Sequence, residues 1–288
     1  MPERGTLYVC ATPIGNMDDI TLRVLRVLSE VDLIAAEDTR HTGKLLRHHG
    51  IDTPMISYHD HNETGRAEEL VGRLIAGERV ALVSDAGTPA ISDPGYALVK
   101  GTIDAGIDVV ALPGASAFLT ALVASGLPPH PFYFGGFLPR KGQERRRLFQ
   151  TLASLEATLI FYEAPHRIVS TLKDVAAVFP GRDVAVAREL TKKHEEIVRG
   201  VAEDVCQRIA QSPPRGEFVL VIAPATASER QEVSTAQIVQ MLEESLKSGK
   251  TKREAVLEVA SLLGVNRNRV YDAAIQLSTT DVPDTPDP

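Results

Sequence analysis

A two-domain α/β fold with a small C-terminal helical extension is predicted by three features of the 288-residue sequence. Short β-rich runs alternate with helical runs from the start of the chain to about residue 225. One break interrupts them, Gly126-Leu-Pro-Pro-His-Pro131, where three prolines in six residues suit neither a helix nor a central strand. After Ala223-Pro224 the strand pattern stops and helical spacing continues alone. The predicted division is therefore 1–125, 126–225 and 226–288.

In the first part, residues 6–11 read as a buried strand, and leucines at 22, 25 and 28 predict a helix over 18–29. Residues 32–36 form a second strand, 42–49 a helix ended by Gly50, 63–76 a third helix and 79–84 a strand. Asp93-Pro94 reads as the start of the next helix, with a carboxylate N-cap and proline at the first helical position. Residues 108–112 are a strand, and 115–124 a helix stopped by Gly126. This order implies a mostly parallel sheet with helices on both faces. In the second part, strands are expected near 132–135, 157–162, 183–187 and 217–223, with helices near 143–155, 165–178 and 203–211. Residues 234–278 read as three helices, and 279–288 has the composition of a disordered tail.

Hydrophobic residues at 43% and charged residues at 24% are the balance of a folded globular chain. No apolar run approaches the length of a membrane span, and Met1-Pro2-Glu3-Arg4-Gly5 carries no secretory apolar region, so a cytoplasmic protein is expected. Cys10 and Cys206 lack metal-ligand spacing, and His59-Asp-His-Asn-Glu63 reads as a polar loop at a cleft rim, so no metal is expected. The net charge of −7 argues against indiscriminate nucleic-acid binding. Basic residues nevertheless cluster, five Lys/Arg against one Glu over 140–147 and six against two acids over 247–269. Such patches permit selective docking of a polyanion on an acidic body.

Ligands of α/β sheets bind beyond the carboxyl ends of strands, which directs attention to the loops there. Ala11-Thr-Pro-Ile-Gly-Asn16 is neither a P-loop nor a dinucleotide fingerprint, and reads equally well as a tight turn. Ser84-Asp-Ala-Gly-Thr-Pro-Ala-Ile-Ser-Asp-Pro-Gly95 holds two glycines and two prolines and offers backbone polar groups at close approach. It suits a ligand with amino, carboxylate and ribose groups. Leu112-Pro-Gly-Ala-Ser116, Phe161-Tyr-Glu-Ala-Pro-His-Arg167, Ala187-Arg-Glu-Leu-Thr-Lys192 and Arg215-Gly-Glu-Phe218 occupy equivalent places, so that all would meet across one cleft.

Taken together, Thr12-Pro-Ile-Gly-Asn16, Glu37-Asp-Thr-Arg40, Ser84-Asp-Ala-Gly-Thr-Pro89 with Ser92-Asp-Pro-Gly95, Pro113-Gly-Ala-Ser116, Phe137-Leu-Pro-Arg140, Phe161-Tyr-Glu-Ala-Pro-His-Arg167 and Ala187-Arg-Glu-Leu190 resemble the tetrapyrrole-methylase superfamily, and within it the branch acting on small-subunit ribosomal RNA. The resemblance runs from residue 5 to about 278. It implies a tetrapyrrole-methylase-like fold, S-adenosylmethionine (SAM) as cofactor, methylation of the ribose 2′-hydroxyl of a decoding-centre cytidine in 16S rRNA, and a homodimer. Pro13, Asp85, Gly87, Thr88, Pro89, Ser116, Phe161, Tyr162, Ala187 and Leu190 would then contact SAM. Porphyrin-methylating relatives tend to have Gly-Asp-Pro where this chain has Gly87-Thr88-Pro89, so the carboxylate must come from elsewhere, with Asp85 the nearest.

A ribose hydroxyl is a weak acid, so a base accepting its proton helps by roughly 10²–10⁴-fold. Candidates are Glu163, Glu189 and His166, with Asp38 and Asp85 from the first part; Glu163 could instead cap a helix and Glu189 pair with an arginine. Guanidinium matches phosphate, which makes Arg40, Arg140, Arg167 and Arg188 RNA contacts. Lys141, Arg145, Arg146 and Arg147 follow Phe137 at a helix start, where cations oppose the helix dipole and so point to a polyanion. In the extension, Lys252, Arg267 and Arg269 flank a Gly264 turn in helix-turn-helix order, which reads as RNA contact or as a bundle packing on the body. The substrate is expected to be the rRNA, in the assembled 30S particle, with the target nucleotide splayed out. Two other readings remain: a SAM methyltransferase for a tetrapyrrole or other small molecule, which needs neither basic cluster, and a non-catalytic RNA-binding factor, which needs no complete set of cleft loops.

Overall fold

The computed structural model describes residues 5–211, 213–225, 235–247, 250–263 and 267–279. Its first half contains β1 (Thr6–Cys10), a 3-10 turn (Met17–Asp19), α1 (Leu22–Glu30), β2 (Leu33–Ala36), α2 (Thr39–His48), β3 (Met55–Ser57), α3 (Glu63–Ile75), β4 (Val80–Val83), α4 (Tyr96–Asp104), β5 (Asp108–Leu112) and α5 (Ala117–Ser125). The strands pair in parallel in the order β3-β2-β4-β1-β5. β2 and β4 read LIAA and VALV, apolar throughout because helices cover both faces. Residues of α1 and α2, among them Val24, Leu28 and Leu45, pack on Ile34, Ala36, Ala81 and Val83. Leu70 and Leu74 of α3 and Leu98 of α4 pack on the opposite side, against Leu33, Ala35, Val80 and Leu82.

Local chemistry sets the helix starts. α1 begins later than its leucine spacing suggests because Thr21 caps it, its hydroxyl accepting the Val24 N–H at 3.1 Å. α4 begins at Tyr96 rather than at Asp93-Pro94, and its N-cap is Gly95 at φ 150°, which brings no side-chain cap. The cap comes from α3: Glu63 Oε1 accepts the N–H groups of Gly95 at 3.1 Å and Ala97 at 3.3 Å. The reading of Asp93 as a helix cap is therefore corrected; its side chain lines a cavity instead.

The second half contains β6 (Phe132–Phe137), α6 (Gly142–Leu152), β7 (Thr158–Glu163), α7 (Ile168–Val178), β8 (Asp183–Arg188), β9 (Glu196–Val201), α8 (Ala202–Ala210) and β10 (Phe218–Ile222). The sheet order is β6-β7-β10-β8-β9; only β6 and β7 are parallel, and β10 runs antiparallel to both its neighbours. Two strands fall outside those expected, β3 and β9, and both lie at sheet edges; in β9, Glu196, Arg199 and Gly200 blur the apolar alternation. α5 packs on this second sheet: Ala121 and Leu122 meet Ile160, Ala185, Ala187, Val219 and Val221, with Ile14 and Leu190 in the same core.

Two compact units result. One runs to Gln150 and resumes over Ala157–Pro224; the other takes Thr151–Glu156 and the chain from Ala225. The latter holds α9 (Thr235–Lys247), α10 (Lys252–Leu263) and α11 (Arg267–Thr279) around a core that includes Ile238, Leu242, Val259, Val270 and Ala273. The Gly264 turn and residues 280–288 of the predicted tail lie outside the described residues. Among the described residues, no helix is long and apolar enough to cross a membrane.

A buried ion pair locks the start of α6. Arg145 is 4% exposed, and its Nε donates to Asp174 Oδ2 of α7 at 2.8 Å, while Arg146 Nη1 reaches Asp174 Oδ1 at 2.8 Å. This corrects the expectation that Arg145 contacts RNA, because its charge is spent inside the protein. Removing one partner leaves a buried charge unpaired, so Asp174→Ala is expected to cost about 3 kcal/mol in urea unfolding. A loss below about 0.5 kcal/mol would reassign the pair to the class of surface ion pairs.

Candidate active site

The carboxyl ends of β1, β2, β4 and β5 present their loops on one side of the parallel sheet. The ends of β6, β7 and β8 face them, and β10, being antiparallel, brings its first residues to the same edge: Phe218 lies opposite Glu163 and Arg188, and Val219 opposite Tyr162 and Ala187. A cavity of about 380 Å³ opens between these ends. Ile14, Gly87, Thr88, Ser116 and Phe118 line it from the first half and the α5 start, and Phe137, Tyr162, Leu190 and Val219 from the second.

Backbone and side-chain bonds hold the loops in place. Thr12 and Gly87 exchange N–H···O bonds at 2.9 Å in both directions, and the Thr12 hydroxyl donates to the Ser84 carbonyl at 3.0 Å. Gly87 adopts φ 82°, a left-handed conformation that favours glycine. Glu37 Oε2 accepts the Asp85 N–H at 3.1 Å, and Asp85 Oδ1 accepts the Asp38 N–H at 3.1 Å, which ties the ends of β2 and β4 together. Across the cleft, the Asn16 N–H donates to Thr191 Oγ1 at 3.1 Å, and a Cβ on Gly15 would stand 2.8 Å from the Leu190 carbonyl. Non-glycine residues at positive φ, Ala90, Glu189 and Thr191, all lie in these cleft loops. Strain of this kind tends to gather at functional sites.

One wall is acidic. Burial, reinforced by the charges of Asp85, Asp60 and Asp38, pushes the Glu37 carboxyl above its ordinary value, although the Asp85 N–H opposes the shift. Asp93 is pushed up to about 6 by burial, then by Glu37, Asp85 and Asp60, against the opposing hydrogen bond from Ser84. Tyr162 is pushed up to about 12, chiefly by burial, with the charges of Asp93 and Glu217 adding to it against a hydrogen bond from the Phe118 backbone. Asp93 thus acts on Tyr162 from the opposite half. Asp38 is taken out of this group, since hydrogen bonds with the Arg40 side chain and N–H hold it far below the usual carboxylate range.

The expected cofactor residues separate into two sets. Asp85, Gly87, Thr88, Ser116, Tyr162 and Leu190 line the cavity. Pro13 is half-buried and Pro89 buried in the flanking turns. Phe161 and Ala187 do not reach the cavity: Phe161 is wholly buried with Tyr133 and Phe149 against its ring, and Ala187 lies in the core beneath Leu190. In an alternating strand, Tyr162 facing the cavity sends its neighbour Phe161 to the other side of the sheet.

The three leading candidates for proton acceptor fare less well. Glu163 lines the cavity, but its carboxylate is buried and takes the Ala164 N–H at 2.8 Å, the Thr171 hydroxyl at 2.6 Å and Arg167 Nη2 at 2.6 Å, which fills most of its acceptor sites. Burial works against ionisation of Glu189, but Lys192, the Glu217 N–H and the charge of His194 outweigh it and hold its carboxyl below the ordinary value. His166 is exposed, and neither it nor Glu189 lines the cavity. Glu37, Ser92 and Asp93 do line it; the sequence motifs contain all three but did not single them out as site residues. Glu37 adjoins the Asp38 that drew attention, and the proline after Asp93 imitates a helix start.

Of the predicted RNA contacts, Arg40, Arg140, Lys141, Arg146 and Arg147 are exposed, Arg40 beside Asp38 and Lys141 3.1 Å from Glu144. Arg167 and Arg188 are drawn inward, Arg167 to Glu163 and Arg188 to Glu196 at 2.7 Å. Lys252 and Arg267 are exposed, and the side chain of Arg269 lies outside the described residues.

The sequence model of the family described as Tetrapyrrole (Corrin/Porphyrin) Methylases matches residues 6–206. A protein of Synechocystis sp. named ribosomal RNA small subunit methyltransferase I is 48% identical over 275 residues, covering 95% of this chain and 98% of that protein. One of the same name from Halalkalibacterium halodurans is 46% identical over 273 residues, 94% of each. Among solved structures, uroporphyrin-III C-methyltransferase from Thermus thermophilus, complexed with S-adenosylhomocysteine, aligns with a TM-score of 0.54 at 19% identity, covering 76% of this chain and 97% of that one. That likeness concerns the fold.

The raised carboxyl of Asp93 has a consequence for stability. Its value moves from 3.8 to about 6 on folding, so the folded state holds the proton more tightly and ionisation costs stability. The cost is absent below about pH 4, grows as the pH rises through 6 and is complete above it. Asp93→Asn should therefore raise the thermal midpoint at pH 8 and leave it nearly unchanged at about pH 3. An equal effect at both pH values in calorimetry would contradict the charge argument.

Proposed function

The chain belongs to the tetrapyrrole (corrin/porphyrin) methylase family, and on that footing we propose that it is a SAM-dependent methyltransferase of small-subunit ribosomal RNA, with the 2′-hydroxyl of a decoding-centre cytidine as its target. The carrying observation is an acid-walled cavity for a cation set beside a cationic surface for a polyanion. Phe137 lines the cavity, and the exposed run beginning at Arg140 follows three residues later.

The residues present fit the donor. Its sulfonium and ammonium groups are cations, and Glu37, Asp85 and Asp93 gather negative charge on one wall. These carboxylates serve where relatives carry Gly-Asp-Pro at the position of Gly87-Thr88-Pro89. Ser92 lines the same cavity, and among the described residues its buried Oγ has no hydrogen-bond partner. Phe118 and Tyr162 offer flat contact to adenine, Leu190 and Ser116 lie beside them, and Pro13 and Pro89 stiffen the turns around Gly87 and Thr88. Phe161 and Ala187 act from beneath as packing support. Bound there, SAM supplies an electrophilic methyl carbon, and the cleft aligns an attacking oxygen with it.

The RNA is held by charge and stacking. Arg140, Lys141, Arg146 and Arg147, with Arg40 at the opposite rim and Lys252, Arg267 and Arg269 on the extension, meet phosphates in a salt-dependent manner. Phe137, 61% exposed, stacks on the extruded base. Residues 1–125 carry the acidic wall, 126–225 the facing wall and the first basic run, and 226–288 a second basic surface. The assembled 30S particle is the substrate and the cytoplasm the place of action. The homodimer interface takes Leu119 and Val123 of α5, the latter 81% exposed, with Phe132.

Labelled SAM offered to unmodified 30S subunits, free rRNA and a porphyrinogen tests the substrate. Label is expected on RNA, at a nucleotide whose 3′ linkage resists alkali because its 2′-oxygen is blocked. Label on the porphyrinogen alone would overturn the reading. Phe137→Ala should raise the KM for RNA about tenfold or more, the range of one lost stack. A KM that stays within twofold removes Phe137 from RNA recognition.

A further inference from the structure

We infer that the exposed face of α2 is a further phosphate-binding surface, holding the RNA on the side of the cavity away from the 140–147 run; the inference rests on the methyltransferase reading above. Between Asp38 and Asp52 the chain carries no acidic residue, while Arg40, His41, Lys44, Arg47 and His48 all fall in that stretch. At about 100° per residue, these five side chains occupy an arc of about 120° on one side of the helix. All five are exposed. Thr42, Gly43, Leu45 and Leu46 take the rest of the circumference and are buried.

Helix stability accounts for only part of this charge. Arg47 and His48 sit in the last turn, where a cation complements the helix dipole. Arg40 sits in the first turn, where a cation opposes the dipole, and Asp38 at 2.8 Å offsets its charge. Lys44 lies mid-helix, four residues after Arg40 and three before Arg47, the spacings at which like charges repel. Among the described residues neither Lys44 nor Arg47 pairs with a carboxylate. A polyanion laid along this face relieves the repulsion, and a solvated helix gains nothing from it.

The face is tied to the cavity. α2 starts two residues after Glu37, which lines that cavity. Asp38 caps the helix by accepting the Arg40 N–H at 2.8 Å, and its own N–H donates to Asp85, another lining residue, at 3.1 Å. Leu45 and Leu46 anchor the helix in the core that holds Ile34 and Ala36. From Arg40 to His48 the face extends about 12 Å, too far for one phosphate to meet both ends. An RNA strand whose target nucleotide enters the cavity meets α2 on the Glu37 side and the run from Arg140 on the Phe137 side. Phosphate contacts carry no sequence information, but on a firmly anchored helix they fix the register in which a nucleotide reaches the methyl donor.

The test measures binding of the full chain to unmodified 30S subunits over a series of salt concentrations, with SAM affinity and saturated turnover alongside. Lys44→Gln/Arg47→Gln is compared with wild type and with Lys100→Gln/Arg208→Gln. The second pair removes the same net charge from exposed sites on α4, across the parallel sheet from α2, and on α8. The α2 pair should weaken binding at least about fivefold near physiological salt. Its plot of log K against log salt should be shallower than wild type by about 1 to 2, because each lost phosphate contact releases about 0.7–0.9 fewer ions. SAM affinity and saturated turnover should stay within twofold, and Lys44→Arg/Arg47→Lys should restore binding and slope. Binding within twofold of wild type overturns the inference, and so does a loss no larger than that of the control pair, which makes net charge the cause. Weaker binding at an unchanged slope also overturns it, because an acidic protein surface of the particle has no condensed counterions to release. Lost SAM affinity or saturated turnover does the same, by making α2 a support for Glu37. Wild type that transfers no methyl to RNA defeats the methyltransferase reading itself, a result distinct from these because binding and slope are read without turnover.

Discussion

The molecule depends on where α5 buries its apolar side. The helix follows the last strand of the parallel sheet, yet it packs on β7, β8 and β10 of the mixed one, with Ala121 and Leu122 against Ala185, Ala187, Val219 and Val221. Ile14, from the loop after β1, and Leu190, from the loop after β8, complete the same core and also form part of the cavity wall. The hydrophobic layer that joins the two sheets is therefore the floor of the site. Burial of such residues contributes on the order of 1.5–3 kcal/mol each, so the cleft geometry carries part of the folding free energy. The antiparallel run of β10 then brings Glu217 and Phe218 to the edge where β7 and β8 end, which closes a cavity that parallel strands alone would leave half open.

Charge is distributed by depth. The protein carries an excess of seven negative charges, and part of that excess is concentrated around the cavity in Glu37, Asp60, Asp85 and Asp93. The exposed cations of residues 140–147 lie outside it. An acid cluster kept partly from water raises the energy of its own ionised form, and a cationic ligand relieves that cost. Arg145 shows why a basic run cannot be taken at face value. On an α-helix, positions 145 and 146 point about 100° apart, so one guanidinium turns inward to Asp174 while its neighbour remains half in water.

The same local logic explains which readings went astray. Asp93-Pro94 has the signature of a helix start, but the start lies at Tyr96, capped from a distance by Glu63, a residue thirty-two positions away in sequence from Gly95. No local pattern contains that contact. Glu163 stands in the motif that suggested catalysis, and its role became visible only with Thr171 and Arg167 placed around it. β9 escaped notice because an edge strand buries little and need not alternate cleanly.

The sequence by itself determined the layered α/β order, the break at the proline-rich segment, the helical extension and the family, because hydrophobic periodicity, turn chemistry and the order of loop motifs are properties of contiguous residues. It also placed Asp85, Gly87, Thr88, Ser116, Tyr162 and Leu190 at strand ends, where the fold class sends ligands. Only the tertiary structure decided which carboxylates are spent on backbone or arginine and which line the cavity, which arginines face water, and which sheet α5 covers. Those are questions of pairing between distant segments, settled by desolvation and hydrogen-bond geometry in three dimensions, and no one-dimensional pattern records them.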